Sequence, residues 1–395
     1  MYLEILNDDG SCNRHFIAQE DYTAETLKKN TAYIHSQSKE SNALEIYKAY
    51  YGESRAILFD ASNQKLYAKL RDLQSKDPFG EEDYLMMFFT SGSTGNPVGA
   101  LKTKENLDRE VKALTKLLEK YKIKKVIVTV PFIHIYGTLL GLLYPLLNNI
   151  DIVLKEHFLP HDLLELIDDN TLVVTTPLYI KALTKLDQSK ALNRSIFISS
   201  TAPLDSKSAQ LFISKYDTDL IQIFGSTETG GIAYKTNLET LWTPLDSVTI
   251  MTNTESELIV KSPFVSTVLY ENGLHCTEGR IETFDYVELE GSQFRLLGRS
   301  SKIFKIAGKR YSTIQIESSL EEIEAISKAL VFVEADQNSL RGERLNITLE
   351  SNHKFSAKEI KKIIQNSFSN LKFSIRLTIV DSIPTTEAGK KLLIK

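Results

Sequence analysis

From Thr90 to Gly99 the chain reads Thr90-Ser91-Gly92-Ser93-Thr94-Gly95-Asn96-Pro97-Val98-Gly99, with three glycines and four hydroxyl residues. Glycines let backbone N–H groups converge on an anion, and Ser and Thr hydroxyls add donors without bulk. The chemistry such a loop serves is the cradling of phosphate. It is not a Walker A loop, which needs Gly-Lys followed by Ser or Thr, whereas Gly99 is followed by Ala100-Leu101.

Five further clusters follow: Pro131-Phe132-Ile133-His134-Ile135-Tyr136-Gly137, Ser200-Thr201-Ala202-Pro203-Leu204, and Phe224-Gly225-Ser226-Thr227-Glu228-Thr229-Gly230-Gly231. Then come Thr283-Phe284-Asp285 with the basic run Gly298–Arg310, and finally Pro384-Thr385-Thr386-Glu387-Ala388-Gly389-Lys390.

The elements that must position these clusters alternate. The apolar run Tyr84–Phe89 predicts a strand leading into the glycine loop. Thr103 is placed to cap a helix running to about Tyr121, with Leu107, Val111, Leu114 and Leu118 at helical spacing. Strands are predicted at 125–130, 151–154, 172–175, 195–199 and 220–224, with helices at 136–147, 163–167, 178–183 and 206–216. This alternation predicts an α/β fold with a mostly parallel, covered sheet. The clusters around His134, Ala202 and Glu228 each follow a strand, where open α/β sheets bind ligands. After about residue 240 short strands and turns predict a β-rich subdomain, and a small α+β domain is expected beyond Gly298. The expected limits are 1–297, with 240–297 the β-rich part, and 298–395. Residues 1–83 carry the weakest signal, a helix near 42–51 and a strand near 55–59.

The bulk composition narrows the function. With 395 residues, 25% charged and 42% hydrophobic, the chain has the make-up of a globular protein of two or three domains. A net charge of -4 gives no basic surface for nucleic acid or membrane. The two cysteines, Cys12 and Cys276, are far apart and form no metal-ligand pattern. Together with an N-terminus lacking a signal-peptide pattern, they predict a cytoplasmic protein. The most apolar run, Ile135–Leu147, is short for a membrane span and contains Pro145, so a buried helix is expected.

In order and type, the six clusters resemble those of the adenylate-forming enzymes: acyl- and aryl-CoA synthetases, adenylation domains of peptide synthetases, and beetle luciferases. The resemblance covers about residues 84–395 and is to a version with a short N-terminal part. It implies a large N-terminal domain followed by a small mobile C-terminal one, with ATP and Mg²⁺ as cofactors. The activity implied is joining a carboxylic acid to the α-phosphate of ATP, then passing the acyl group to a thiol of CoA or an acyl carrier protein. Thr90, Ser91, Gly92, Ser93, Thr94 and Gly95 would hold the β- and γ-phosphates. Glu228 would hold Mg²⁺ and Thr227 would lie near the α-phosphate, with Ala202, Pro203, Phe224, Gly225 and Ser226 completing the nucleotide site. Asp285 and Arg299 would hold the ribose, although Thr277-Glu278-Gly279 competes with Thr283-Phe284-Asp285 for that role. Lys390 would bridge carboxylate and α-phosphate, Lys305 would serve thioester formation, and His134 would gate the acyl site.

Three departures stand against the resemblance. Val98 replaces the usual lysine of the glycine loop, with Lys102 the nearest substitute cation. Ser301 stands where the hinge usually has Asp or Lys, and few residues precede the loop. These keep open a non-catalytic nucleotide or acyl binder, and an amino-acid-adenylating enzyme is a further alternative. An unrelated P-loop phosphotransferase lacks its lysine. The segment Phe132–Leu143 contains no acid to hold a substrate ammonium, which favours an uncharged acyl or aryl tail. Wide acyl tunnels in the family it resembles are often lined by glycines, and Ser199-Ser200-Thr201 has none, so the resemblance implies a narrower aryl or short-acyl pocket.

Overall fold

The computed structural model describes residues 1–22, 31–35, 38–63, 66–68, 70–71, 73, 78–89, 98–188, 190–271, 273–299, 303–306, 309–335, 343–367, 374–384 and 391. Its chain separates into two compact units. The first comprises Met1–Pro203, Ser208–Met251 and Ile259–Ile281, and the second Leu204–Lys207, Thr252–Leu258 and Glu282–Lys395.

The strands of the first unit begin with β1 (Tyr2–Leu6), β2 (Cys12–Phe16), β3 (Ala32–His35), β4 (Ala56–Phe59), β5 (Met86–Phe89) and β6 (Gly99–Lys102). There follow β7 (Lys125–Val128), β8 (Asp151–Leu154), β9 (Thr171–Thr175), β10 (Ile196–Ser199), β11 (Asp219–Ser226), β12 (Gly230–Thr236) and β13 (Thr243–Pro244). After β14 (Thr249–Thr252) and β15 (Glu257–Lys261) come β16 (Val268–Tyr270) and β17 (Leu274–Cys276).

Two sheets dominate this unit. One has nine strands in the order β13-β12-β11-β10-β9-β7-β8-β1-β2, and the other has six, β17-β16-β6-β5-β4-β3. In the first, β11, β10, β9, β7, β8 and β1 are parallel neighbours, as the alternation of strands and helices predicts. In the second, β4, β5 and β6 are buried on both faces, and β4 and β5 divide their side chains by period two. Ala56, Leu58, Met86 and Phe88 join the core shared with the nine-stranded sheet, while Ile57, Phe59, Met87 and Phe89 enter a second core with Leu66, Phe79 and Leu101.

The helix Lys104–Leu118 starts on a capping box, with Thr103 accepting from the Asn106 N–H and Asn106 returning a bond to the Thr103 N–H. Its stripe Leu107, Val111, Leu114 and Leu118 lies in the shared core. The apolar run after His134 is helical and buried, but it is not uniform. Ile135–Thr138 and Tyr144–Leu147 are α-helical, while Leu139–Leu143 is π-helical, with the Tyr144 N–H reaching back to the Leu139 carbonyl. Pro145 brings no N–H to the carbonyl one turn before it, and the ladder widens in the segment ahead.

The second unit holds most of β18 (Arg280–Glu290), then β19 (Gln293–Arg299), β20 (Ile303–Ile306), β21 (Lys309–Ser312), β22 (Lys328–Ala335), β23 (Glu343–Glu350) and β24 (Ser374–Val380). Strand β23 pairs antiparallel with β22 and parallel with β24. Helices Thr313–Glu321 and Ala357–Ser367 supply Ile316, Leu320, Ile360 and Ile364 to a separate core with Ala329, Val331, Leu345, Ile347 and Leu349. This is the small α+β C-terminal part. Among the described residues no helix is long and apolar enough to cross a membrane.

Candidate functional site

Strands β7, β9, β10 and β11 run parallel, so the segments leaving their C-terminal ends emerge on one edge of the nine-stranded sheet. After β7 comes Pro131–Gly137. Its glycine is dictated by packing, because a Cβ at Gly137 would stand 2.1 Å from the Pro131 carbonyl oxygen. The Thr138 hydroxyl donates to the Phe132 carbonyl at 2.5 Å. The Tyr136 hydroxyl lies 2.9 Å from the Thr175 carbonyl and 2.8 Å from the Ile198 carbonyl and shares its one proton between them, stitching this segment to the ends of β9 and β10. Burial pushes the Tyr136 phenol above its ordinary pKa, so it stays a neutral donor. His134, exposed, sits at the start of the helix that follows.

After β10, Ser200 donates to the Ile223 carbonyl at 2.9 Å, tying its loop to β11 beside Phe224. The next residue, Thr201, has φ +79°. A β-branched side chain in the left-handed region is strained. Strain of this kind persists only where the surroundings impose it. Ala202 is half-buried and Pro203 exposed in the same loop.

Strands β11 and β12 form a hairpin whose tip is Ser226–Thr229. The Ser226 N–H donates to Thr229 Oγ1 at 3.1 Å, the Thr229 N–H to Ser226 Oγ at 3.2 Å, and Thr229 Oγ1 to the Gly230 carbonyl at 2.8 Å. The tip is built through Ser226 and Thr229, so Thr227 and Glu228 are not spent on it. Glu228 is fixed through its backbone: its carbonyl accepts from Lys102 Nζ at 3.1 Å and from the Ser266 N–H at 2.9 Å. Gly230 has φ +72°, and a Cβ there would stand 2.5 Å from Glu110 Oε2. Phe224 and Gly225 are half-buried at the end of β11. The Phe224 ring lies 5.5 Å from that of Trp242, which in turn lies under Lys235 at 5.0 Å. Burial lowers the pKa of Lys235.

Oxygen donors at such a tip suit a hard cation. Among the described residues no three His, Cys, Asp or Glu side chains gather to hold a metal. One carboxylate is the pattern for Mg²⁺ bound together with phosphates, and Glu228 with Thr227 beside it fits that donor set.

Asp285 and Arg299 are register partners across β18 and β19 in the second unit. Asp285 is buried and its N–H donates to Thr283 Oγ1 at 3.2 Å, while Phe284 points out, 68% exposed. The competing Thr277-Glu278-Gly279 is a turn with Glu278 at φ +54° and Gly279 at φ +70°. Lys305 is on β20 opposite Arg310. The side chains of Arg299 and Lys305 lie outside the described residues, as do all of Thr90–Gly95, Ser301 and Lys390. The two ends of the glycine loop are described: Phe89 and Gly99 are register partners of β5 and β6.

Lys391 is the described residue next to Lys390. Its ammonium donates to Glu317 at 3.2 Å, to Glu321 at 2.5 Å and to the Ala329 carbonyl at 2.7 Å. Burial works against its charge, but the two carboxylates overcome this and raise its pKa. Both also accept backbone N–H groups of β22, from Val331 and Ala329. Lys391→Met is expected to destabilise the protein by about 1–3 kcal/mol, the scale for hydrogen bonds to charged groups. Denaturant unfolding measures this, and an unchanged midpoint would show that the clamp carries no stability.

Two residues of the first unit were not legible as site components. Lys102, the candidate substitute for a loop cation, is fully buried beneath Glu228 and offers no charge to solvent. Glu110 is buried against Gly230 and Gly231. It lies three residues after Leu107 and four before Leu114, so an acid inside the apolar stripe was the available signal.

A family model for AMP-binding enzymes matches residues 9–262. Among curated proteins, 4-coumarate–CoA ligase-like 8 of Arabidopsis thaliana is 22% identical over 83% of this chain, and the chain spans 66% of its length. A 2-succinylbenzoate–CoA ligase of Listeria monocytogenes is 25% identical over 77% of this chain and 68% of its own. Among solved structures, O-succinylbenzoate coenzyme A synthetase of Bacillus subtilis in complex with ATP and magnesium aligns with a TM-score of 0.78 at 18% identity. That alignment covers 98% of this chain and 94% of that one, and it shows the fold.

Proposed function

The chain belongs to the AMP-binding enzyme family, and on that footing we propose that it activates a carboxylic acid as an acyl-AMP and delivers the acyl group to the thiol of CoA or of an acyl carrier protein. The observation that carries this reading is the Ser226–Thr229 tip, which leaves the Thr227 hydroxyl and the Glu228 carboxylate out of its own hydrogen bonds at the end of a parallel strand.

In the first half-reaction a carboxylate oxygen attacks the α-phosphorus of ATP, and the bond to the β-phosphate oxygen breaks with pyrophosphate leaving. Negative charge grows on the departing group, which calls for preorganised donors. The loop Thr90–Gly95 supplies N–H and hydroxyl donors there, and Lys390 bridges the acid and the α-phosphate. Glu228, with Thr227 beside it, would hold Mg²⁺, which would supply charge neutralisation on the phosphates. Asp285 accepts two hydroxyls of the ribose, for which a carboxylate has the acceptors, and Arg299 reaches the same sugar. Phe224, Gly225, Ser226, Ala202 and Pro203 border the base. In the second half-reaction the thiolate attacks the acyl carbon and AMP leaves, with Lys305 serving that step and His134 gating the acyl site. The domain limits 1–297 and 298–395 belong to this proposal, with Ser301 at the hinge.

The acid favoured is acyl or aryl with an uncharged tail. The test is incubation with ATP, Mg²⁺, a panel of aryl, fatty and amino acids, and either CoA or a phosphopantetheinylated carrier protein, with products read by mass spectrometry. An acyl thioester with stoichiometric AMP is expected. ADP as the product, or nucleotide binding without any thioester, would contradict the proposal, the latter favouring the non-catalytic binder.

A further inference from the structure

Lys102 and Glu110 are buried charges for which the proposed chemistry has no use. Lys102 is 0% exposed, and Nζ donates to the Glu228 carbonyl at 3.1 Å and to the Phe264 carbonyl at 2.5 Å. Glu110 is 3% exposed and accepts the Gly231 N–H on Oε1 at 2.6 Å. Its other oxygen, Oε2, is buried without a hydrogen-bond partner and lies where a Cβ on Gly230 would stand, 2.5 Å away. One charge therefore grips the hairpin tip at Glu228 and the other grips it at Gly231. Burial drives both groups towards neutrality, lowering the pKa of Lys102 and raising that of Glu110, while the Glu110 and Glu228 carboxylates resist the shift of Lys102, and Lys102 with the Gly231 N–H resists that of Glu110. An apolar pair of similar volume would fill the same space without desolvating two charges.

The Glu228 carbonyl that Lys102 holds belongs to the Glu228–Thr229 peptide. The N–H of that peptide donates to Ser226 Oγ at 3.2 Å, closing the tip. A cation on the carbonyl polarises the peptide and strengthens that closing bond.

We propose that Lys102 is a positioning residue for Glu228: with Glu110 as counter-charge, it clamps the hairpin tip from beneath and sets where the Glu228 carboxylate meets a divalent cation and its nucleotide. The proposal rests on the reading of Glu228 as the metal-holding carboxylate. It also accounts for a fully buried lysine on the strand that follows the glycine loop.

Lys102→Met alone strands Glu110 without its counter-charge and is a poor test, because such a variant can fail to fold. The double variant Lys102→Met/Glu110→Gln removes both charges at nearly constant volume. Two readouts are compared with wild type: the Mg²⁺ concentration giving half of the ATP-induced rise in Tm, and amide hydrogen exchange at Thr229, Gly231 and Ser266. The double variant is expected to melt within a few degrees of wild type. Its Mg²⁺ requirement should rise about tenfold, the scale for losing an outer residue that orients a ligand. Protection of the three amides should fall about tenfold, because local opening at the tip is no longer opposed. Unchanged protection in the folded double variant would overturn the clamp. Lost protection with an unchanged Mg²⁺ requirement would overturn its role in positioning Glu228. Hydrogen exchange needs no nucleotide, so a wild-type protein that binds no Mg·ATP would defeat the Glu228 reading, while the three amides would still decide the clamp.

Discussion

Lys390→Ala is expected to slow ATP–pyrophosphate exchange by roughly 10²–10³-fold, the scale for removing one preorganised electrostatic contact to a developing charge. Lys391 is held by Glu317, Glu321 and the Ala329 carbonyl. Preorganisation gives a single charge its weight in catalysis. The same anchoring separates function from stability, because Lys391 carries the ion pairs and remains in the variant. Melting should therefore stay at the wild-type temperature while exchange collapses. A folded Lys390→Ala protein with wild-type exchange would remove Lys390 from the reaction.

Glu228→Gln is the second large effect. Two donors, Lys102 Nζ and the Ser266 N–H, hold residue 228 by its carbonyl, and the hydrogen bonds of the tip run through Ser226 and Thr229. The substitution therefore removes charge while leaving the backbone where it is. A magnesium-binding carboxylate acts through charge, so Gln should be nearly as harmful as Ala. Residues that only orient a metal ligand cost about 10–100-fold in metal affinity when lost, and the ligand itself should cost at least as much. The Mg²⁺ concentration for half-maximal exchange should rise accordingly, and the maximal rate should fall. A Gln variant with the wild-type Mg²⁺ dependence would make Glu228 a structural residue.

Much of this architecture was legible because local periodicity and position coincide. The helix Lys104–Leu118 has both its capping residue, Thr103, and its apolar stripe written in consecutive residues. Strands β7 to β11 carry β-branched runs between helices, and the clusters at His134, Ala202 and Glu228 were placed after strands because each follows such a run. What stayed hidden depends on partners distant in sequence. Strand β1 lies parallel to β8, pairing Leu3 with Ile152, and nothing near residue 3 announces that neighbour. The π-helical Leu139–Leu143 is written in residues that suit an α-helix equally well, with only Pro145 beyond it as a sign.

Lys102 was misleading for a related reason. Directly after a phosphate-type loop a lysine reads as a free cation, but β6 lies inside a six-stranded sheet with both faces covered. Its charge is supported there by the Glu228 and Phe264 carbonyls, brought from far along the chain to accept its hydrogen bonds, and by the Glu110 and Glu228 carboxylates. The proposed ribose carboxylate has two candidates in the sequence, because Phe284 stands where the resemblance expects a glycine and Thr277-Glu278-Gly279 competes with Thr283-Phe284-Asp285. In the structure the first is a tight turn, whereas Asp285 stands on β18 opposite Arg299.

The proposed activity of this chain is activation of a carboxylic acid by transfer of AMP to it. The most direct measurement is isotope exchange between pyrophosphate and ATP, with Mg²⁺ and each acid of an aryl, fatty and amino-acid panel, and no thiol present. Exchange that depends on at least one aryl or acyl acid, and vanishes when that acid is omitted, is the result this account predicts. A folded protein that binds Mg·ATP yet shows no acid-dependent exchange with any member of the panel would contradict it.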